Sequence, residues 1–103
     1  ARAVLAECLG RAWKIAEAFR KEIPGIAARL RSSAEADDAQ QARHSAHSIK
    51  GAAANIGADA LRDIARELEE AATSGNLDAL RNGIPRLDAE LERLLEAIGK
   101  KRP

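Results

Sequence analysis

Two histidines lie in one short stretch of the chain, and one of them has neighbours that suit an anionic group. His47 is followed by Lys50 three positions later and by Gly51 four positions later. Residues at these spacings are neighbours on a helix surface. An imidazole that is neutral at physiological pH is a nucleophile, and a lysine ammonium beside it attracts negative charge. The pattern indicates a histidine that accepts a phosphoryl group.

Gly51 is unexpected in a helical stretch that is otherwise rich in alanine. Glycine in a helix interior costs about 1 kcal/mol relative to alanine. We interpret Gly51 as room for a bulky group on His47 or for a partner surface, and Ala54 extends this room by one turn. The alternative, close packing of another helix, is less favoured because Gly51 points away from the apolar face.

The helical wheel places His44 and His47 outside the core. The apolar positions of this segment recur in steps of three and four, and His47 lies roughly 135° from their centre. Ordinary surface histidines are one alternative interpretation. A His-x-x-His metal site is another, but no third ligand is in view, so no metal is predicted.

The sequence carries none of the other parts that phosphoryl transfer needs. It has no phosphate-binding loop, no kinase glycine-rich loop and no carboxylate cluster placed to hold magnesium. The metal and the groups that stabilise the transferring phosphoryl charge must therefore come from a partner protein.

The elements that position these residues are predicted to be helices of a single domain, residues 1–103. Aromatic residues are only 2% of the chain and charged residues 32%, so the core must consist of aliphatic side chains and alanine, as in all-α domains. Helical periodicity covers approximately residues 2–9, 11–32, 37–56, 59–73 and 76–98. The second segment is kinked at Pro24 or else divided there into two helices.

The predicted architecture is an antiparallel four-helix bundle with a short additional N-terminal helix. Gly57 is expected to end the third segment in a left-handed conformation. The leucine stripe of the last segment is assigned to the core, with a coiled-coil dimer as the alternative. A closed bundle of this kind is expected to be a monomer.

Composition excludes several classes of protein. The net charge is +1 with both signs interspersed, which argues against nucleic acid as a partner. No apolar run approaches the ~20 residues of a membrane span, and no signal peptide is visible. Cys8 is the single cysteine, so an internal disulfide is impossible. We expect a cytoplasmic domain, excised from a longer protein because the chain lacks an initial Met.

The stretch from Ala46 to Ala58, AHSIKGAAANIGA, resembles the signature of histidine phosphotransfer (HPt) domains of multistep phosphorelays. The resemblance continues through Leu61 and the Leu68–Glu69 pair and spans about residues 4–98. It is closest to the hybrid sensor kinase type. It implies that His47 is phosphorylated, through Nε2, that Lys50 stabilises the phosphoryl group and that Gly51 provides clearance.

The resemblance also implies a function. His47 would accept a phosphoryl group from a receiver-domain aspartate and pass it to another receiver, with no autonomous catalysis and no cofactor beyond the receiver's magnesium. The expected partners are response regulator receiver domains and a hybrid sensor kinase in cis, of which this would be the cytoplasmic C-terminal domain. The residues expected to line the docking face are Gln40, Arg43, His44 and Ala54.

One position departs from the family pattern. Some relatives have Gln where this chain has Glu69, a position in the next helix and close to the phosphohistidine. An ionised Glu cannot donate a hydrogen bond to a phosphoryl group and would repel it. We assign Glu69 no role and interpret the charges of its helix as a solvated face. Two alternative functions remain: direct phosphorylation by an ATP-dependent kinase, as in chemotaxis-type systems, and an unphosphorylated docking bundle.

Overall fold

Over residues 2–100, the part that the structure describes, the chain folds as four helices joined by three-residue loops. A computed structural model describes the backbone of residues 2–100 and the side chains of residues 13–100. The helices are α1 (Arg2–Glu35), α2 (Ala39–Asn55), α3 (Asp59–Thr73) and α4 (Leu77–Lys100). The described residues contain no strand, and the prediction of an all-α bundle is confirmed. Because the loops are short, consecutive helices run antiparallel.

The N-terminal region differs from the prediction. The expected separate helix over residues 2–9 is wrong: these residues form the first turns of α1, which continues through Gly10 and Pro24. A glycine lowers helix stability but keeps its backbone hydrogen bonds, so it does not force a break. The side chains of the expected first helix, including Cys8, lie outside the described residues, as does the tail beyond Lys100.

Each helix contributes one apolar stripe to a single core. The α2 stripe is made mostly of alanine, with Ile49 as its one large member, and it is fully buried. Such small side chains let neighbouring helices approach closely. Helix α2 packs against both α1 and α3 and makes its most extensive contact with α3. The opposite face of α2, which carries the histidines, is therefore left uncovered.

The loops are stabilised by caps and by left-handed residues. Asp38 caps α2 by accepting a hydrogen bond from the backbone N of Gln41 at 3.1 Å. Gly57, with φ +74°, follows the end of α2 in the expected left-handed conformation. Asp37 is also left-handed, with φ 58°, and its carboxylate forms an ion pair with Arg81 of α4. The contacts of Asp37 and Asp38 thus lie at the start of α2, and Gly57 lies beyond its end.

Helices α3 and α4 pack most closely at Gly83. A Cβ atom at this position would lie 2.5 Å from Cδ2 of Leu68, and Leu68 is 2% exposed. The absence of a side chain at Gly83 therefore allows the core side chain of α3 to fit against the α4 backbone.

The outer faces of the helices are charged. Arg20 pairs with Glu17 in α1 at 2.7 Å, and Arg62 pairs with Asp59 in α3 at 3.2 Å. Among the described residues, no helix combines the length and the apolar character needed to cross a membrane.

Candidate functional site

His47 lies on the uncovered face of α2, as the helical wheel predicts. Its side chain is 63% exposed, while Ala46 and Ile49 on the opposite side of the helix are fully buried. His44, one turn earlier, is also exposed. The α2 core stripe therefore holds both rings outward, where a partner can reach them.

Glu69 of α3 contacts both His47 and Lys50. One carboxylate oxygen, Oε2, lies 2.6 Å from His47 Nδ1. The other, Oε1, accepts a hydrogen bond from Lys50 Nζ, also at 2.6 Å. The Glu69 side chain is only 16% exposed. We refer to these three residues as the His47–Glu69–Lys50 cluster, which joins α3 to the outer face of α2.

The charge on Glu69 is set by its two partners. The hydrogen bond from Lys50 is the largest influence that lowers the pKa of Glu69 below its ordinary range, and the hydrogen bond with His47 lowers it further. Partial burial opposes them but does not reverse the direction. Glu69 is therefore an ionised carboxylate at neutral pH.

An ionised carboxylate at this distance determines which ring nitrogen of His47 bears the hydrogen. A carboxylate only accepts hydrogen bonds, so the nitrogen that faces it, Nδ1, must be the N–H donor. The neutral ring then carries its free lone pair on Nε2. The cluster thus presents an oriented nucleophilic nitrogen beside a lysine.

Glu69 is a residue of the site to which the sequence interpretation assigned no role. Its placement on a solvated face is wrong, because its side chain is only 16% exposed and contacts α2. The available signals were the family position, which lies close to the phosphohistidine, and the place of Glu69 next to Leu68 at the margin of the apolar stripe of α3. Recognising its partners requires the alignment of α3 against α2, which one helix alone does not reveal.

Gly51 faces open space. A Cβ atom built there would meet nothing within 4 Å, so no neighbouring helix requires a glycine at this position. Ala54, one turn farther, is also exposed. Gly51 and Ala54 thus leave the outer face of α2 beyond His47 without bulky side chains at these two positions. Within the described residues, the packing explanation for Gly51 has no support.

The residues expected to line a docking face all lie on the exposed side of α2. Gln40, Arg43 and His44 precede His47 along the helix and are exposed. Within the part of the chain whose side chains are described, Arg43 makes no ion pair and is available to a partner. Their role in docking remains a prediction.

The described side chains do not form a metal site. No group of three histidine, cysteine, aspartate or glutamate side chains lies close enough together to hold an ion. Near His47 the acidic group is Glu69, and Lys50 already neutralises that carboxylate. This arrangement suits an anion attached to the ring better than a cation.

Comparison with known proteins identifies one relationship. Residues 14–97 match the family model described as the Hpt domain, which covers most of the chain and includes the whole cluster. Searches of the curated proteins and of the solved structures each return no match.

Proposed function

The chain belongs to the Hpt domain family, and from this premise we propose that His47 takes a phosphoryl group from the aspartate of one receiver domain and gives it to the aspartate of another. Members of this family are phosphocarriers in two-component signalling that interact with response regulator receiver domains. The phosphoryl donor, the phosphoryl acceptor and the carrier residue go beyond family membership and are part of our proposal.

One observation carries the proposal: His47 is exposed and oriented beside a backbone that nothing covers. Its ring is held by Glu69 through Nδ1, and the Gly51 position is open to solvent. A receiver domain must bring its phosphorylated aspartate within bonding distance of Nε2, which a bulky side chain at residue 51 would obstruct. The cost of glycine in a helix is accounted for by this clearance.

The transfer step uses the lone pair on Nε2. This nitrogen attacks phosphorus in line, and the bond from phosphorus to the aspartate oxygen breaks, its electron pair returning to the carboxylate. Lys50 has a flexible stem and three donors, so its ammonium can turn from Glu69 towards the phosphoryl oxygens. The described residues provide no metal site, so we assign the magnesium ion that neutralises the developing charge to the receiver.

Several further properties belong to the proposal. The domain acts as a carrier without catalysis of its own, as a monomer, and in the cytoplasm. A hybrid sensor kinase in cis is the proposed source of the first receiver. Gln40, Arg43, His44 and Ala54 are the proposed docking residues around His47.

The test is phosphoryl transfer from a phosphorylated receiver domain to the chain, with His47→Gln compared with His44→Gln. We expect acid-labile label on the wild type and at the intact His47 of His44→Gln, and none on His47→Gln. Label that is lost only in His44→Gln would show that His44, and not His47, carries the phosphoryl group.

A parallel reaction with histidine kinase domains and ATP tests direct phosphorylation. Label from that reaction alone would contradict the relay assignment.

A further inference from the structure

Lys50, the lysine beside the reactive ring, is already bound to another group before any transfer. Its Nζ donates a hydrogen bond to Oε1 of Glu69 at 2.6 Å, and the other oxygen of that carboxylate contacts Nδ1 of His47. The Lys50 side chain is only 31% exposed. The ammonium therefore lies on the Nδ1 side of the ring, and it must leave a charge-assisted hydrogen bond, one of the stronger kinds in proteins, to reach a phosphoryl group.

The phosphoryl position lies on the other side of the same ring. The two nitrogens of an imidazole point in nearly opposite directions, so Nε2 of His47 faces away from Glu69 when Nδ1 faces towards it. A helical side chain also leans back over the turn that precedes its own Cα. The tip of His47 therefore lies over the turn that contains Arg43 and His44, and a phosphoryl group on Nε2 is directed towards that turn.

Arg43 is a cation of that turn and has no partner of its own. It lies four residues before His47, a spacing at which helical side chains are neighbours, and the two positions differ by about 40° around the helix. Arg43 is exposed, and its side chain makes no ion pair or hydrogen bond among the described residues. A guanidinium is always charged and presents paired N–H donors that match the oxygens of a phosphoryl group.

We propose that Arg43 binds the phosphoryl group carried on Nε2 of His47, from the side of the ring opposite to Glu69 and Lys50. This inference rests on the proposed function and deepens it, because it gives a residue of the docking face a direct contact with the transferred group. The guanidinium donates hydrogen bonds to phosphoryl oxygens and forms no covalent bond. Arg43 and Lys50 then offset the phosphoryl charge from two sides.

The other basic side chains near His47 are less well placed. Arg66 lines the groove beside Lys50, but it precedes Glu69 by three residues on an antiparallel helix. It therefore lies on the far side of Lys50 from the turn that contains Arg43. His44 shares that turn and is exposed, but its ring is charged only when protonated. Among the described residues of α2 and α3, Arg43 is thus the permanent cation on the N-terminal side of His47.

The first measurement follows the arginine side chains themselves. A His44→Gln background leaves His47 as the one histidine, and potassium phosphoramidate phosphorylates it without a receiver. Nitrogen-15 NMR of the guanidinium groups, recorded before and after phosphorylation, reports their hydrogen bonds. We expect the Arg43 protons to shift downfield and to exchange more slowly with water. Arg29, an exposed arginine of α1, should keep its signals, and unmoved Arg43 signals would overturn the inference.

The second measurement titrates the phosphoryl group by phosphorus-31 NMR in the same background. A cation close to the phosphoryl oxygens favours their more highly charged form and lowers the pKa of the group. Arg43→Gln should therefore raise this pKa by roughly half a unit, the size expected for an exposed ion pair, and Arg43→Lys should restore part of the shift. Arg29→Gln should leave the pKa unchanged. A larger rise in Arg66→Gln than in Arg43→Gln would overturn the assignment to Arg43.

The outcomes separate this inference from the proposed function. An unchanged phosphoryl pKa in Arg43→Gln would overturn the contact, even if receivers phosphorylate His47. A raised pKa combined with no transfer from any receiver would support the contact and contradict the relay. A residue that serves docking alone would slow transfer from a receiver when replaced, but it would leave the phosphoryl pKa of the isolated chain as it was. Circular dichroism shows that each variant is folded, and the guanidinium measurement needs no substitution of Arg43.

Discussion

Oε2 of Glu69 lies 2.6 Å from Nδ1 of His47, and this contact joins the exposed face of α2 to the neighbouring helix α3. It assigns different tasks to the two ring nitrogens, because the one that faces the carboxylate holds the hydrogen and the other keeps the lone pair. Lys50 completes the arrangement by binding the other oxygen of the same carboxylate. A surface histidine thereby acquires a defined orientation.

Substitution of Gly51 should separate folding from transfer. Gly51→Ala adds a methyl group in open space and removes the helix penalty of glycine, so we expect the free energy of unfolding to rise by up to about 1 kcal/mol. Gly51→Gln should also fold but should transfer at least tenfold more slowly, because its side chain obstructs the approach to His47. Denaturant titration and receiver transfer assays measure the two effects.

Gly25 offers a matched control for this experiment. It is an exposed helical glycine of α1 with nothing within 4 Å of a built Cβ. Gly25→Gln should fold and transfer normally. Normal transfer by Gly51→Gln would contradict the clearance argument.

Removal of the Lys50 ammonium should slow phosphoryl transfer to His47. Lys50→Met keeps most of the stem but loses the charge-assisted hydrogen bonds, which are worth about 1.5–3 kcal/mol each. Each 1.4 kcal/mol or so of lost transition-state stabilisation slows a reaction about tenfold. We therefore expect transfer to His47 to slow by roughly tenfold or more. Lys50→Arg should recover part of the rate.

Lys21→Met serves as the control for Lys50→Met, since Lys21 is an exposed lysine of α1. It should leave the transfer rate unchanged. If Lys50→Met transferred at the rate of the unaltered chain, the stabilising role of Lys50 would be wrong.

Gly83→Ala should change the free energy of unfolding in the opposite direction from Gly51→Ala. The added methyl carbon would lie 2.5 Å from the buried Leu68 side chain, and such overpacking costs about 1–3 kcal/mol, more than the helix propensity of alanine returns. Gly83→Ala should therefore destabilise the chain, as measured by denaturant titration. In a Leu68→Ala background the same substitution should become neutral or stabilising, and a cost that persists there would refute the contact.

The ion pair of Glu69 with Lys50 and its hydrogen bond with His47 should make stability depend on pH in one direction. Because Lys50 and His47 hold the pKa of Glu69 below its unfolded value, the carboxylate contributes stability above that unfolded value and loses the contribution as pH falls through the folded one. The stability difference between the parent and Glu69→Gln should therefore be largest near neutral pH and shrink on acidification below about pH 4.

Denaturant titrations at pH 7 and at about pH 3 measure this difference. Glu70→Gln is the control, because Glu70 is exposed on the same helix and makes no ion pair within the described region. A difference between Glu69→Gln and the parent that is equal at both pH values would show that the charge of Glu69 does not stabilise the fold.

The local part of the site could be read from the sequence because it depends on one helix. His47, Lys50 and Gly51 are three and four residues apart, and the 3.6-residue period places them side by side whatever the rest of the chain does. The apolar periodicity likewise determined the helical class, and the start and end of α3 were predicted at Asp59 and Thr73. Hydrogen bonding within a helix is local, so local spacing is sufficient.

The remaining features depended on how helices meet. The pairing of Glu69 with His47 requires a particular alignment of α3 against α2, and the need for Gly83 arises only where Leu68 presses on α4. The continuity of α1 through Gly10 was also missed, because a glycine penalty of about 1 kcal/mol is small enough for context to override. The sequence by itself determined which residues share the exposed face of α2 that carries His47. Only core packing, which acts between residues far apart in the chain, decided that a carboxylate from another helix holds the histidine.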